Sequence, residues 1–180
     1  MFTKINSIGI FGLNTFPVEA EVDATRGKPL FEIVGLPDTS IKESKERVMS
    51  ALKNSGINVP YDKLTVNLAP ADTKKSGSAH DLAIFVAVLC ASNIITADLN
   101  DSAFIGELSL GGDVRRVNGA LPMAIEAGKS GIKKFFVPKE NAFEASVVEG
   151  IEVYGVENVT ELIAHLKGEK LIDVTDKILD

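Results

Sequence analysis

Residues 63–92 read KLTVNLAPADTKKSGSAHDLAIFVAVLCAS, and their pattern is the clearest indication of the fold. From Leu64 to Leu68, apolar residues alternate with polar ones, which predicts a strand with one buried and one solvated face. Apolar residues then cover nearly every side of the stretch 79–92, which predicts a helix buried at the centre of the fold. The polar residues 69–78 between the two elements predict an exposed loop at the entrance of that helix.

The rest of the chain alternates between short strands and helices. Apolar alternation and bounded apolar runs predict strands at residues 18–22, 31–34, 104–110, 135–137 and 151–154. Apolar residues at helical spacing predict helices near residues 40–56, 119–129, 142–148 and 159–166. In the first helix, Ser40 and Glu43 predict a capping box, and Gly56 predicts a C-terminal cap. Because strands come first and alternation follows, the sequence predicts an α/β domain with a mixed sheet and packed helices.

Composition fits one folded domain. The chain has 180 residues, of which 45% are hydrophobic and 24% charged, and these values disfavour disorder. Its formal net charge of -6 argues against a surface dominated by contacts with nucleic-acid phosphates, although a local basic patch is compatible with it. We expect a cytoplasmic protein with no membrane partner, since no signal peptide and no apolar stretch of roughly 20 residues is present. The single cysteine, Cys90, is expected to be a small buried hydrophobe.

Two familiar kinds of site are not predicted. Gly128-Lys129-Ser130 resembles the end of a phosphate-binding loop, but Met123 replaces the glycine that such a loop needs five residues earlier. The triplet also closes a helix, so we expect ordinary capping with Gly131 after it. The histidines, His80 and His165, are far apart and one cysteine is present, so no metal site is predicted. His165, near a helix end, is expected to be a surface residue or one that compensates the helix dipole.

The loop before the buried helix collects polar residues that could carry chemistry. They are Lys74, Lys75, Ser76, Ser78, His80 and Asp81. A helix N-terminus favours anions, and a serine nucleophile would need a histidine or lysine within hydrogen-bond reach. Ser78 and His80 are two residues apart, so local geometry alone does not make them a catalytic pair. The alternative is that Ser78 caps the helix among polar neighbours.

Eight short runs along the chain form a recognisable series. They are FPVEAEV (16–22), IVGLPD (33–38), KESKERV (42–48), ALKNSG (51–56), TVNLAPAD (65–72), GSAHDL (77–82), FIGELSL (104–110) and VPKEN (137–141). The series resembles the opening of the ComM/YifB family of magnesium-chelatase-like AAA+ ATPases. The resemblance covers roughly residues 1–167 in order, which makes it far more specific than any single motif.

This resemblance implies a fold like the second domain of ribosomal protein S5, which the proteolytic domain of Lon shares. It implies an N-terminal domain over residues 1–167 and a linker over 168–180 towards an AAA+ module. ATP and Mg²⁺ are expected for that module, and no cofactor is expected for this chain. The family is linked to DNA branch migration in natural transformation. The implied partners are therefore the AAA+ module, neighbouring subunits of a ring, and DNA or DNA-processing proteins.

The similarity to Lon can be examined residue by residue. Lon's proteolytic domain uses a serine in a Lys-Asp-Gly-Pro-Ser-Ala-Gly run and a lysine in a Gly-Gly-Leu-Lys run. Without a gap, the first run places Ala79 at the nucleophile, and the second places Leu121 at the lysine. Deleting one residue would bring Ser78 to the nucleophile, but the alignment then supplies no base. We therefore expect no catalytic residues in this chain and treat Ser78, Ala79 and Leu121 as vestigial positions.

Three functions follow from the sequence. The first is a non-catalytic domain that helps a ring ATPase to assemble or to engage DNA. The alternatives are a Lon-like serine hydrolase using Ser78 and a protein-interaction module that recruits recombination partners. The negative net charge of the chain favours the interaction module over direct DNA binding. If the domain contacts DNA, the predicted contacts are Lys74, Lys75, Arg115 and Arg116, each neutralising one phosphate.

Overall fold

A mixed seven-stranded sheet forms the centre of the computed structural model, which describes residues 1–71, 73–75 and 77–176. The strands are β1 Phe2–Phe11, β2 Asn14–Thr25, β3 Leu30–Val34, β4 Lys63–Ala69, β5 Ser102–Phe104, β6 Glu107–Leu108, β7 Val114–Arg115, β8 Lys134–Pro138 and β9 Glu152–Val156. The large sheet has the order β3-β4-β2-β1-β5-β8-β9, and β6 pairs with β7 separately. Strand β2 is antiparallel to β1 and β4, and the other neighbours in the large sheet are parallel. The predicted α/β class with a mixed sheet is confirmed.

Helices cover both faces of the sheet. They are α1 Asp38–Asn54, α2 Asp81–Ala91, α3 Ala120–Lys129, α4 Ala142–Ser146 and α5 Val159–Leu166, with 3₁₀ turns at Gly77–His80 and Lys139–Asn141. Successive strand residues point to opposite faces: Phe135 packs in the cluster with α3 and α4, and Phe136 in the cluster with α1, α2 and α5. Every residue of α2 except Cys90 is buried, as the sequence predicted. Within the described ranges, no helix is both long and apolar enough to cross a bilayer.

The predicted strand at 104–110 is two separate strands in the structure. Strand β5 ends inside that range, and β6 pairs with β7. Gly106 has a φ of 154°, and a Cβ atom added there would lie 2.6 Å from Val114 Cγ1, so glycine lets the chain pass close to β7. The Gly106 N–H donates to Ala79 O at 2.9 Å, and its carbonyl accepts from Leu82 N–H at 3.1 Å. The chain therefore bends out of the sheet to bond the start of α2.

Helix α1 begins without the predicted capping box. Its N-cap is Pro37, no side chain caps it, and Ile41 N–H donates to Pro37 O at 3.0 Å. Ser40 therefore lies inside the first turn, and its pairing with Glu43 as a cap is wrong. The prediction at the other end is confirmed, because Gly56 follows the helix with a φ of 71°, the left-handed conformation typical of a C-terminal glycine.

The segment after α5 bonds to the edge of the large sheet. Thr175 N–H donates to Val153 O at 2.8 Å, and Val174 forms a β-bridge with Tyr154. This part of the linker predicted over residues 168–180 therefore contacts the domain, because its main chain extends the edge of β9. Residues 177–180 of that linker lie outside the described residues. A role as a linker towards an AAA+ module stays a prediction.

His165 holds the same segment through its ring. Nδ1 accepts a hydrogen bond from Ile172 N–H at 2.8 Å, and the ring centre lies 5.3 Å from that of Phe136 and 5.1 Å from that of Tyr154. Burial lowers the pKa of His165, and the charge of Lys134 lowers it further. The expectation of a surface residue is wrong, since the half-buried ring joins α5, the sheet and the segment after α5. His165 lies in the last turn of α5, and compensation of the helix dipole stays a prediction.

Candidate functional site

The polar loop leads into the 3₁₀ turn Gly77–His80 and then into α2. His80 is the residue before α2, and no side chain caps the helix. The prediction that Ser78 is the N-cap is therefore wrong: it lies inside the 3₁₀ turn, two residues before the capping position. Asp72 and Ser76, which belong to the same loop, lie outside the described residues.

Asp81 opens α2 with a carboxylate that is completely buried. Its Oδ1 accepts from Ser44 Oγ at 2.8 Å and Arg47 Nη2 at 3.3 Å, and its Oδ2 accepts from Arg47 Nε at 2.6 Å and Leu108 N–H at 3.1 Å. Burial raises the pKa of Asp81, and hydrogen bonds from Arg47, Ser44 and Leu108 oppose that rise. Burial of Arg47 lowers its own pKa, but the bond and charge of Asp81 outweigh this and raise it. One carboxylate thus connects α1, α2 and β6.

A serine and a histidine meet beside this carboxylate. Ser7 Oγ lies 2.7 Å from His80 Nδ1, and the two residues are 0% and 1% exposed. Burial, together with the charge of Lys75, lowers the pKa of His80 to about 4, so its ring is neutral at pH 7. A neutral histidine that is hydrogen-bonded to a serine can take the proton of the hydroxyl and so activate that serine as a nucleophile. Here both side chains are sealed from solvent, so the pair acts as a bond between β1 and the start of α2.

Lys75 is buried, with 3% of its surface exposed. Its Nζ donates to Thr73 O at 2.9 Å and to Gly35 O at 3.2 Å. The prediction that Lys75 is exposed for a DNA phosphate is therefore wrong. The ammonium points into the protein, where main-chain carbonyl oxygens take the place of water.

These residues form one buried polar cluster beneath the start of α2. Its members are Ser7, Ser44, Lys75, His80 and Asp81, which are buried, and Arg47, which is half-buried. Sequence reasoning did not identify Ser7, Ser44 or Arg47 as members. Ser44 offered one signal, because it is a polar residue on the same helix face as Ile41 and Val48.

Three predicted DNA-binding residues are exposed, namely Lys74, Arg115 and Arg116. We call them the exposed cations. Lys74 Nζ lies 5.6 Å from the centre of the Phe11 ring, while the main chain of Arg115 pairs with Glu107 across the β6–β7 hairpin. The cations thus come from two different elements, the loop before α2 and the hairpin. Their contact with phosphate stays a prediction.

The positions compared with Lon's catalytic residues carry apolar side chains in half-buried places. Ala79 lies in the 3₁₀ turn and packs against the core cluster that contains α3 and α4. Leu121 lies in the first turn of α3. Neither side chain has a group that could donate or accept a proton, which leaves Ser78, also half-buried, as the vestigial position with a hydroxyl.

The Gly128-Lys129-Ser130 triplet closes α3, as predicted. Ser130 is the C-cap, its N–H donates to Glu126 O at 3.0 Å, and Gly131 follows with a φ of 82°. Among the described residues, no three histidine, cysteine, aspartate or glutamate side chains are placed to share a metal ion. Cys90 is half-buried, and burial raises its pKa to about 11, so it remains a thiol at neutral pH.

Comparison with known proteins places this arrangement in a family. The profile of the family described as subunit ChlI of Mg-chelatase matches residues 20–141, about two thirds of the chain. The chain belongs to this family. The matched range contains α1 and α2, and therefore the whole contact between Arg47 and Asp81.

Individual relatives agree with this assignment. The chain is 39% identical over 170 residues to the uncharacterized protein YifB of Escherichia coli (strain K12), covering 94% of this chain and 33% of YifB. It is 37% identical over 163 residues to the competence protein ComM of Haemophilus influenzae, covering 90% of this chain and 32% of ComM. It is also 31% identical over 172 residues to the Lon protease of Acinetobacter baumannii, covering 89% of this chain and 21% of Lon. The chain thus spans about a third of the length of YifB and ComM, and the ComM/YifB resemblance is confirmed.

Proposed function

We propose that the chain is a non-catalytic domain of a magnesium-chelatase-like AAA+ ATPase that helps the ATPase ring to assemble or to engage DNA. The family match supports the ATPase parent, and the name of ComM as a competence protein supports a role in DNA processing. Because the chain covers about a third of YifB and ComM, an AAA+ module with its ATP and Mg²⁺ fits the part of those relatives outside the match.

The non-catalytic role is supported by the hydrogen bonds that the residues of the buried polar cluster make within the protein. Asp81 is bound by Arg47 and Ser44, His80 is sealed against Ser7, and Lys75 donates to two carbonyls. A general base or nucleophile must reach a proton or an electrophile on its substrate. Groups held inside the protein in this way hold elements together instead.

We expect the chain not to bind ATP at the triplet that resembles a phosphate-binding loop. Gly128-Lys129-Ser130 lies at the C-terminal end of α3, where helix carbonyls carry partial negative charge that disfavours a phosphate. Addition of ATP and Mg²⁺ should therefore leave the melting temperature of the chain unchanged. Saturable binding in the micromolar range by calorimetry would contradict this and place a nucleotide site within the chain.

The hydrolase alternative is tested with a serine-directed fluorophosphonate probe at neutral pH. We expect no labelling at Ser78, since no described base bonds its hydroxyl and Leu121 occupies the position compared with Lon's lysine. A trypsin sample checks that the probe is active. Labelling that disappears in Ser78→Ala and persists in Ser7→Ala would establish a serine hydrolase and overturn the non-catalytic role.

The DNA part of the proposal is supported by the exposed cations and opposed by the net charge of -6. We expect weak binding of duplex DNA, on the order of 10⁻⁴ M or weaker at physiological salt. The measurement is fluorescence anisotropy between about 50 and 200 mM salt, with Lys74→Glu and Arg115→Glu/Arg116→Glu. Lys129→Glu, on the exposed end of α3, is the charge-matched control for Lys74→Glu, and Lys129→Glu/Lys133→Glu is the control for the double variant.

Removal of each cation that contacts a phosphate should lower the magnitude of the salt slope by about 1. Tight binding that is unchanged in these variants would show that DNA uses another surface. No binding at the lowest salt would remove DNA engagement and leave ring assembly as the role of the domain.

A further inference from the structure

Residues 171–176, which we call the strap, lie along the edge of the large sheet beside β9. None of them is buried: Ile172 and Thr175 are half-buried, and the other four are exposed. A cavity of about 340 Å³ lies between α5 and the start of the strap, with Ala164, Leu171 and Ile172 in its lining. The strap therefore rests loosely on the domain, which is typical of a segment that can open locally.

Main-chain bonds and one side chain hold the strap. Thr175 N–H donates to Val153 O at 2.8 Å, and Val174 forms a β-bridge to the same strand. Nearer to α5, Ile172 N–H donates to Nδ1 of His165 at 2.8 Å. Among the hydrogen bonds that the structure describes for the strap, this is the one made to a side chain. It is therefore the bond that a change in protonation can break.

The bond at His165 requires a neutral ring. Because Nδ1 accepts the Ile172 N–H, this nitrogen carries no proton, and the ring proton is on Nε2. A protonated ring carries a proton on both nitrogens, so an N–H of the ring would face the Ile172 N–H. Protonation thus replaces an acceptor of the strap by a second donor, and the bond is lost.

The surroundings of the ring oppose its protonation while the strap is bound. The titratable groups on the elements around it are Lys134 of β8, Glu152 and Tyr154 of β9, Glu161 of α5, Lys167, Glu169 and Lys170 after α5, and Asp173 and Asp176 of the strap. Burial lowers the pKa of His165 most, the charge of Lys134 lowers it further, and Glu161 opposes this. Glu152 accepts the Tyr154 hydroxyl at 2.7 Å, and both aspartates of the strap are exposed to screening by solvent.

We propose that protonation of His165 releases the strap and uncovers the edge of β9. With a neutral ring, Ile172 is bonded and the strap lies along the sheet edge. With a charged ring the strap leaves, and the main chain of Val153 and Tyr154 is open to solvent or to another strand. Release begins below about pH 6.5, where the ring of a released strap titrates, because the bound ring has the lower pKa. The exposed cations take no part, so the inference is independent of the proposed DNA role.

The test is native-state hydrogen exchange of the 180-residue chain, followed by amide NMR between about pH 7.5 and about pH 5.5. Protection factors are corrected for the intrinsic effect of pH on exchange, so they report the ratio of bound to released strap. The amides of Ile172 and Thr175 report the strap, and those of the buried helix α2 report global unfolding. Nitrogen shifts of the ring give the pKa of His165 in the same samples.

We expect the strap to exchange faster than α2, which marks a local opening. Its protection factors should fall by up to about tenfold between these pH values, beginning near pH 6.5 and levelling off at the pKa of the ring. His165→Asn keeps an oxygen acceptor where Nδ1 lies but does not titrate, so the fall should shrink to less than about twofold. His165→Phe keeps a ring without an acceptor, so protection should be about tenfold lower already at pH 7.5 and should not change with pH.

Several outcomes would overturn the proposal. They are wild-type protection factors that do not change with pH, or strap amides that exchange as slowly as those of α2. An undiminished fall in His165→Asn would show that another group titrates. Wild-type protection in His165→Phe would show that ring packing holds the strap without the acceptor. If His165→Asn does not bind the strap at pH 7.5, the wild-type profile decides, because a fall that continues below the measured pKa of the ring cannot arise from His165.

Discussion

Lys74 and Lys75 are adjacent in sequence, yet they belong to two different regions. Lys75 is part of the buried polar cluster, and its ammonium donates to the carbonyls of Thr73 and Gly35. Lys74 is exposed and approaches only the ring of Phe11 among the contacts described for it. Residue type therefore did not decide the role of either lysine. Lys75 is buried because the distant carbonyl of Gly35 accepts a hydrogen bond from its ammonium. Lys74, at the neighbouring position, is surrounded by solvent.

This comparison separates residues that hold the domain together from residues that can meet a partner. Members of the buried polar cluster should affect folding strongly, because a buried group that loses its partner cannot regain water. The exposed cations should affect folding weakly, because solvent replaces whatever contact they lose. Measurements of stability can therefore test this distinction.

The largest effect is expected for Arg47→Ala. It would leave the carboxylate of Asp81 buried with Ser44 and Leu108 as its donors, and an unpaired buried charge typically costs about 3–5 kcal/mol. We expect the free energy of unfolding at pH 7, measured by urea titration, to fall by about 3 kcal/mol. Arg115→Ala removes an exposed arginine and should change it by less than about 0.5 kcal/mol.

A loss below about 1 kcal/mol for Arg47→Ala would contradict this assignment. It would mean that water or protonation readily stabilises the carboxyl group of Asp81 in place of Arg47. The buried polar cluster would then be open to solvent. Ser44→Ala provides a graded check within the same cluster. It removes one of the hydrogen bonds to the carboxylate and should cost about 1–2 kcal/mol.

The second effect is a pH dependence that arises from His80. Its pKa is about 4 in the folded chain and about 6.5 in an unfolded one, so the unfolded chain binds a proton first as the pH falls. The stability due to the neutral ring is complete above pH 6.5 and is lost between 6.5 and about 4. At about 1.4 kcal/mol for each pKa unit, the loss reaches about 3 kcal/mol.

Carboxylates also titrate in this range, so the measurement compares the wild type with His80→Gln. The wild type should lose stability more steeply between pH 6.5 and 4 than the variant, in urea titrations at each pH. His165→Gln is a comparison outside the cluster, because this half-buried ring also has a lowered pKa and should contribute its own part of the slope. Parallel curves for wild type and His80→Gln would show that the ring of His80 is protonated inside the fold without cost.

The two lysines give a direct test with the same substitution. Lys75→Met keeps the length and the apolar stem but removes the donor to two carbonyls, and we expect a loss of about 2 kcal/mol. Lys74→Met should change the free energy of unfolding by less than about 0.5 kcal/mol. Equal losses would show that Lys74 and Lys75 share one environment in solution, against the structure.

How much of this could be predicted depends on how local the determining signal is. The buried helix α2 was predictable, because its apolar residues form an uninterrupted local pattern that no exposed helix would carry. The broken strand after β5 was not. The break depends on Gly106, where the chain bends and the main chain of Gly106 bonds Ala79 and Leu82. A glycine in the sequence permits such a bend but does not specify which residues the bent chain will contact.

The candidate site was predicted less completely for the same reason. Sequence placed Lys74 and Lys75 in one polar loop, but the burial of Lys75 depends on the carbonyl of Gly35, forty residues earlier. The bond between Ser7 and His80 joins positions that are 73 residues apart. Local patterns give the elements, while such contacts depend on how the sheet is ordered.

The smallest effect concerns the contact between Lys74 and the ring of Phe11. Its ammonium lies 5.6 Å from the centre of the Phe11 ring, and Phe11 is 50% exposed, so water competes for the ion. A cation–π contact at an exposed site contributes about 0.5 kcal/mol. A double-mutant cycle with Lys74→Met and Phe11→Leu should therefore give a coupling energy of about 0.5 kcal/mol or less in urea titrations, and added salt should reduce it. A coupling above about 1.5 kcal/mol would mean that the pair is desolvated. In that case Lys74 would belong with Lys75 among the residues that hold the domain together, and the line between the buried polar cluster and the exposed cations would have to be redrawn.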